Sequence, residues 1–122
     1  MKQVKVENLH DTALAWVLLV YEDMQNGATE EEAEMDAKDV RIGFFDLEDL
    51  MERYRVGIMP PDGHRGSQWM AFFYQRTQHD LTLAEGIQGA QFCGTPITAV
   101  MRAIIAERVG KVVNVPDELA ED

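Results

Sequence analysis

The sequence predicts an α+β fold in which helices pack on a small, largely antiparallel sheet, similar to an α-β-α sandwich. Two segments, 9–24 and 96–109, carry apolar residues at helical spacing. Five shorter segments, 2–6, 40–45, 56–59, 68–75 and 111–115, alternate or are rich in residues that favour strands. With 122 residues and 46% hydrophobic content, the chain is expected to form a single domain over 1–122.

The first helix is predicted to follow a short strand at 2–6. Asn8 or Asp11 is the expected N-cap, and Asn26-Gly27 is the expected stop. The centre of the helix, ALAWVLLVY, is apolar on nearly every side. Such a helix is usually covered on more than one face, here by the sheet and by another helix or a second subunit.

A second, short helix is predicted over 30–38. Thr29 and Glu32 have the spacing of a capping box. The segment also carries a dense acidic surface, for which we single out Glu30, Glu31, Glu34 and Asp36. These acids lack the glycine turn of a calcium loop, so they form either a solvated face or a contact surface for a basic partner.

The middle of the chain predicts a strand at 40–45, a helix at 47–54 capped by Asp46, and a hairpin of strands 56–59 and 68–75. Because QWMAFFYQ is apolar on both faces, its strand is expected to be central. The loop PPDGHRGS places His64 and Arg65 at a tip that is either functional or only a long turn. Over 76–94 the sequence suggests a third strand at 81–83, and Gly86 and Gly89 indicate either turns or mobility.

The last helix is predicted to begin with Thr95 as N-cap and Pro96 as first residue. A capped core helix is favoured over an anion site at its free N–H groups. Its alanine side is flat enough for another helix to approach closely. Arg102 is the main polar interruption, and it faces either solvent or a partner.

Charge narrows the classes of function. The chain has 11 basic and 22 acidic residues, a net charge of −11. This argues against direct binding of nucleic acid or of an anionic membrane. The acidity either keeps the domain soluble or lets it occupy a nucleic-acid site on another protein. A single cysteine and the absence of an apolar run of about 20 residues predict a cytoplasmic protein that does not enter a membrane.

No catalytic or metal constellation is apparent in the sequence. The three histidines are scattered, and no nucleophile or phosphate-loop motif occurs. Cys93 precedes a helix start and could pair with His79, but a small buried residue is the favoured interpretation. We therefore predict no catalytic residues, no metal and no cofactor, and we do not expect an enzyme.

Several blocks in order resemble the NinX-like family of small phage and prophage proteins, whose function is unknown. The blocks are Lys5-Val6 with Leu9, Ala13 to Val17, Leu50 to Val56, Trp69 to Ala71, Gly94 to Arg102, Val109-Gly110 and Val115 to Leu119. The central and C-terminal blocks also resemble phage α-β-α sandwich domains. The resemblance implies the fold and a phage origin, and it assigns no catalytic residue. The chain departs from the family before Asp46 and over 76–93.

The leading hypothesis is a phage-encoded accessory protein that binds a protein of the bacterial host, with a host defence or nucleic-acid-handling protein as the target. The alternative is a small-molecule or nucleotide-binding protein. It requires Arg53, Arg65 and Arg102 to converge on one pocket. The two large apolar helices also lead us to expect a homodimer. The residues proposed for ligand or partner binding are Arg53, His64, Arg65, Trp69, Tyr74, Thr95 and Arg102.

Overall fold

The computed structural model describes residues 1–61, 68–73 and 88–120, without the side chains of 88–92. It confirms a small α+β fold. The helices are α1 (Asp11–Gln25), α2 (Glu30–Asp36), α3 (Leu47–Tyr54) and α4 (Pro96–Arg108). The strands are β1 (Lys2–Lys5), β2 (Val56–Met59), β3 (Trp69–Phe73), β4 (Gln88–Cys93) and β5 (Val112–Val115). Short 3₁₀ helices span Val6–Asn8, Ile42–Phe44 and Asp117–Leu119.

The described strands form two antiparallel sheets rather than one. β1 pairs with β5, with Lys2 opposite Val115 and Lys5 opposite Val112. The other sheet has the order β2-β3-β4. The predicted hairpin of β2 with β3 and the central position of β3 are confirmed.

The core is built around α4 and α1. Seven of the 13 residues of α4 are buried, and this helix packs on all three strands of the larger sheet and on α1. In α1, every residue from Ala13 to Leu18 is buried. Its cover comes from α2, α4, β5 and the 3₁₀ helix at Ile42–Phe44. The cover predicted for α1 is therefore supplied within the chain, and Ala99 and Ala103 on the alanine side of α4 are buried as well.

The start of α1 differs from the prediction. His10 is the N-cap, and its side chain makes no capping hydrogen bond. Asn8 instead ends a 3₁₀ helix, and Asp11 is already the first helical residue. The predicted stop is confirmed, because Asn26 is the C-cap and Gly27 has a φ of 101°, a backbone conformation that glycine adopts without steric cost.

The strand predicted at 40–45 is wrong. Arg41 and Ile42 accept hydrogen bonds from the backbone N–H groups of Phe44 and Phe45, which closes a 3₁₀ turn. This turn buries Val40 and Phe45 without requiring a partner strand, and it leaves Phe44 68% exposed. The apolar residues of this short segment therefore did not distinguish a turn from a strand.

The turn predicted at Gly89 is also wrong, because this glycine lies in β4. The pairing of β4 with β3 shifts register between Ala71 and Phe73, which accommodates an irregular strand there. The predicted strand at 81–83, the turn at Gly86, and His64, Arg65 and Tyr74 lie outside the described residues.

Candidate functional site

The short helix α2 lies on α1 and turns its carboxylates outward. Ala33 of this helix and Ala37 at its C-cap are fully buried. Its first turn is held by the predicted capping box: the Glu32 backbone N–H donates to Thr29 Oγ1 at 3.2 Å, and the Thr29 N–H donates to Glu32 Oε1 at 3.1 Å. The hydrogen bond from the Thr29 backbone lowers the pKa of Glu32.

We call Glu30, Glu31, Glu34 and Asp36 the acidic ridge. Glu30, Glu31 and Asp36 are exposed, and Glu34 is half-buried. Met35 lies among them and is 75% exposed. The acidic surface expected from the sequence thus includes an exposed apolar side chain among its carboxylates.

One side of the ridge borders an acidic hollow of about 350 Å³, lined by Leu19, Asp23, Asp36, Asp39, Val40 and Phe44. Burial raises the pKa of Asp23, and the neighbouring carboxyl of Asp36 raises it further through charge repulsion and a hydrogen bond. The exposed ring of Phe44 meets the buried ring of Phe45 edge-on, with centroids 5.4 Å apart. Like charges therefore share a hollow beside an exposed aromatic ring.

The other side of the ridge borders an apolar groove of about 420 Å³. Val20 and Met24 of α1, Val109 and Val113 contribute apolar lining. Glu30 and Glu34 line it from α2, and Arg108 lines it from the end of α4. We call this concavity the groove.

Arg53 lies in a charged cluster where α1 and α3 meet. Its guanidinium contacts Glu22 Oε2 at 2.5 Å and donates from Nε to Asp49 Oδ2 at 3.0 Å. The Tyr54 hydroxyl also donates to Glu22 Oε2, at 2.6 Å, and burial together with this hydrogen bond raises the pKa of Tyr54. Arg108 lies over the Tyr54 ring, 5.4 Å from its centroid. Two carboxylates thus engage Arg53.

The start of α4 carries a chain of hydroxyl groups that the sequence did not predict. Thr95 Oγ1 donates to Thr98 Oγ1 at 2.7 Å, and Thr98 Oγ1 donates to Asp11 Oδ1 at 2.8 Å. Thr95 occupies the N-cap position, but the predicted side-chain cap is absent. Thr98 thus donates to the Asp11 carboxylate and accepts from the Thr95 hydroxyl.

Arg102 lies one turn beyond Thr98 on the same side of α4. Its Nη2 donates to the carbonyl oxygen of Leu9 at 3.4 Å. The spacing of Thr95, Thr98 and Arg102, three and then four residues apart, was the available signal for this polar side. Without the position of α1, that signal does not identify Asp11 and Leu9 as the groups contacted.

The described members of the predicted ligand site lie in different environments. Arg53 lines a cleft with Glu22, Tyr54 and Arg108, whereas Arg102 contacts the backbone before α1. Trp69 is half-buried against the core. The structure therefore brings Thr95 and Arg102 to one side of α4 but does not place Arg53 with them.

In the ranges that the structure describes, no three His, Cys, Asp or Glu side chains are grouped so that they could hold a metal ion. None of the helices there has the length and apolar content needed to cross a membrane. No protein-family model matches the chain, and no curated protein or solved structure matches it either.

Proposed function

We propose that this chain is a NinX-like accessory protein of phage or prophage origin that binds a protein of the bacterial host in the cytoplasm. The ordered sequence blocks that resemble the family support the origin. The net charge of −11 supports a basic binding partner. A host defence or nucleic-acid-handling protein fits this chemistry, because its phosphate-binding surface would accept carboxylates.

One observation carries the proposal: exposed apolar side chains lie beside carboxylates. Met35 is 75% exposed and Phe44 is 68% exposed, next to the acidic ridge and the acidic hollow respectively. Apolar side chains within a polar rim are typical of protein-binding surfaces. A surface that served solubility alone would not require either side chain.

The alternative, a nucleotide-binding protein, has less support. It required Arg53, Arg65 and Arg102 to converge, and Arg53 is engaged by Glu22 and Asp49 instead. The homodimer remains a prediction that light scattering tests. The apolar surfaces of α1 and α4, from which the homodimer was predicted, cover each other within one chain.

The test is affinity capture from lysate of the bacterial host at about 50 mM salt, where charge interactions are weakly screened. The double variant Met35→Ser/Phe44→Ser removes the two apolar side chains. Val112→Ser is the matched control, because Val112 is 53% exposed on β5. We expect a host protein whose recovery falls about fivefold or more in the double variant and is unchanged in the control. Equal recovery by all three proteins, or no recovery, would contradict the proposal.

A further inference from the structure

We infer that the groove is the docking site for a partner segment that carries apolar side chains next to lysine or arginine. This inference rests on the proposed function, because the occupant of the groove is a segment of a protein partner. It adds a second contact surface, on the opposite side of α2 from the acidic hollow, and it names the chemistry that this surface accepts.

The apolar part of the occupant follows from the groove lining. Met24 is 43% exposed and Val109 is 44% exposed, although both are large apolar side chains. With Val20 and Val113 they line one concavity of about 420 Å³. This volume lies within the range of about 300–1,000 Å³ that is usual for binding sites. A segment that buries two or three apolar side chains there would remove this surface from water.

The basic part of the occupant follows from the charges at the rim. Glu30 and Glu34 are four residues apart on α2, so they lie on the same side of the helix, about 6 Å apart along its axis. Glu32, and neither of these two, closes the capping box. Arg108 also lines the groove, and its guanidinium lies over the ring of Tyr54. Met1 also lines the groove, and its ammonium group is paired with Asp117 at 3.6 Å. The carboxylates of Glu30 and Glu34 are therefore the negative groups at the rim that a basic side chain would contact.

The same charges argue against other occupants. A second copy of the chain would bring its own net charge of −11 to the acidic rim. Nucleic acid and anionic membranes would be repelled for the same reason. A small cation would leave Met24 and Val109 uncovered. An apolar segment with basic residues satisfies both the lining and the rim.

The experiment titrates the purified full chain with two labelled helical peptides of about 16 residues, followed by fluorescence anisotropy at low salt. Both peptides carry the same leucine stripe, flanked by lysines in the basic peptide and by glutamates in the acidic one. The variant Glu30→Lys/Glu34→Lys replaces the two negative charges at the rim with two positive charges. Glu48→Lys/Glu52→Lys is its control, because these exposed residues of α3 have the same spacing and change the net charge equally.

We expect the basic peptide to bind the unmodified chain and to bind the rim variant about tenfold more weakly, while the acidic peptide gains affinity for that variant. The control pair should change either affinity by less than about threefold. Met24→Ser/Val109→Ser should weaken the basic peptide about fivefold or more. Circular dichroism confirms that each variant is folded.

Three results would overturn the inference. The first is no binding of the basic peptide at about 100 μM, a concentration that detects weak interfaces. The second is equal weakening by both charge pairs, which would show that only net charge matters. The third is a dimer in light scattering that Met24→Ser/Val109→Ser dissociates, which would make a second copy the occupant. If a host protein is captured through Met35 and Phe44 but the basic peptide does not bind, only the groove is rejected as a docking site. If the peptide binds but no host protein is captured, only the proposed function is rejected.

Discussion

The helices α2 and α4 begin with the same residue type but use it differently. Thr29 and Thr95 both occupy N-cap positions. Thr29 accepts a hydrogen bond from the backbone of Glu32, so its helix is closed within four residues. Thr95 donates instead to Thr98, whose hydroxyl reaches Asp11, 87 residues away in the chain.

This difference teaches that the two helix starts depend on different parts of the chain. The hydrogen bonds that close the start of α2 lie within the helix and its N-cap, so this helix can expose most of its surface while burying Ala33. The start of α4 joins two helices of the core, so it depends on the tertiary fold. The candidate binding surface lies on the helix whose end is closed locally, where a surface substitution has little effect on folding.

The largest expected effect is on stability, and it compares a buried methionine of α4 with an exposed methionine of α2. Met101 in α4 is fully buried, whereas Met35 in α2 is 75% exposed. We expect Met101→Ala to lower the free energy of unfolding by about 2–5 kcal/mol because it leaves a cavity. The matched Met35→Ala should change it by less than about 0.5 kcal/mol. Urea denaturation measures both, and similar losses would show that the Met35 side chain is packed in the core.

The second prediction concerns the hydroxyl chain. Thr98→Val keeps the shape of the side chain and removes both hydrogen bonds, so we expect a loss of about 1–2 kcal/mol. The hydrogen bond to the Asp11 carboxylate should account for most of this loss. A double-mutant cycle of Thr98→Val with Asp11→Ala measures the coupling directly. A coupling near zero would mean that α1 and α4 are held by apolar packing alone.

The third prediction tests the two caps against each other. Thr29→Ala removes a capping box and should cost about 1 kcal/mol, because one N–H group loses its partner. Hydrogen exchange should show this loss in the amides of α2 above all. Thr95→Ala should cost less, because its side chain caps no N–H group. An equal or larger cost for Thr95→Ala would reverse the contrast.

The smallest effect depends on pH. Since the pKa of Asp23 is raised above its ordinary value of 3.8, the folded chain binds this proton more tightly than the unfolded chain. The contribution of this proton to the stability of the folded chain is complete below about pH 3.8. It is lost as pH rises through the raised pKa of Asp23.

Asp23→Asn should therefore stabilise the chain at pH 7, by roughly 0.5 kcal/mol or less, because solvent screens charges at this half-buried site. The difference should vanish below about pH 3.8, where the carboxyl is protonated in both states. Thermal denaturation across this range measures it, with the exposed Glu48→Gln as control. A stabilisation that is independent of pH would exclude the repulsion from Asp36 as its cause.

Local signals predicted several elements well. The ranges 47–54 and 56–59 agree with α3 and β2, because Asp46 caps the helix and Arg55 ends it in the left-handed region, with a φ of 58°. The strand prediction at 40–45 was wrong, because apolar residues in a turn can be buried on a neighbouring helix as well as in a sheet. Gly89 was assigned to a turn because a glycine signals flexibility whether or not a strand pairs with it.

By itself, the sequence determined the fold class, the capping box at Thr29 and the acidity of α2, because each depends on residues close together in the chain. Only the tertiary structure decided that Arg53 meets Glu22, that Thr98 reaches Asp11, and that α2 separates an acidic hollow from an apolar groove. These contacts join residues far apart in the chain. Their geometry depends on how α1, α3 and α4 pack, and this packing depends on the burial of the whole core.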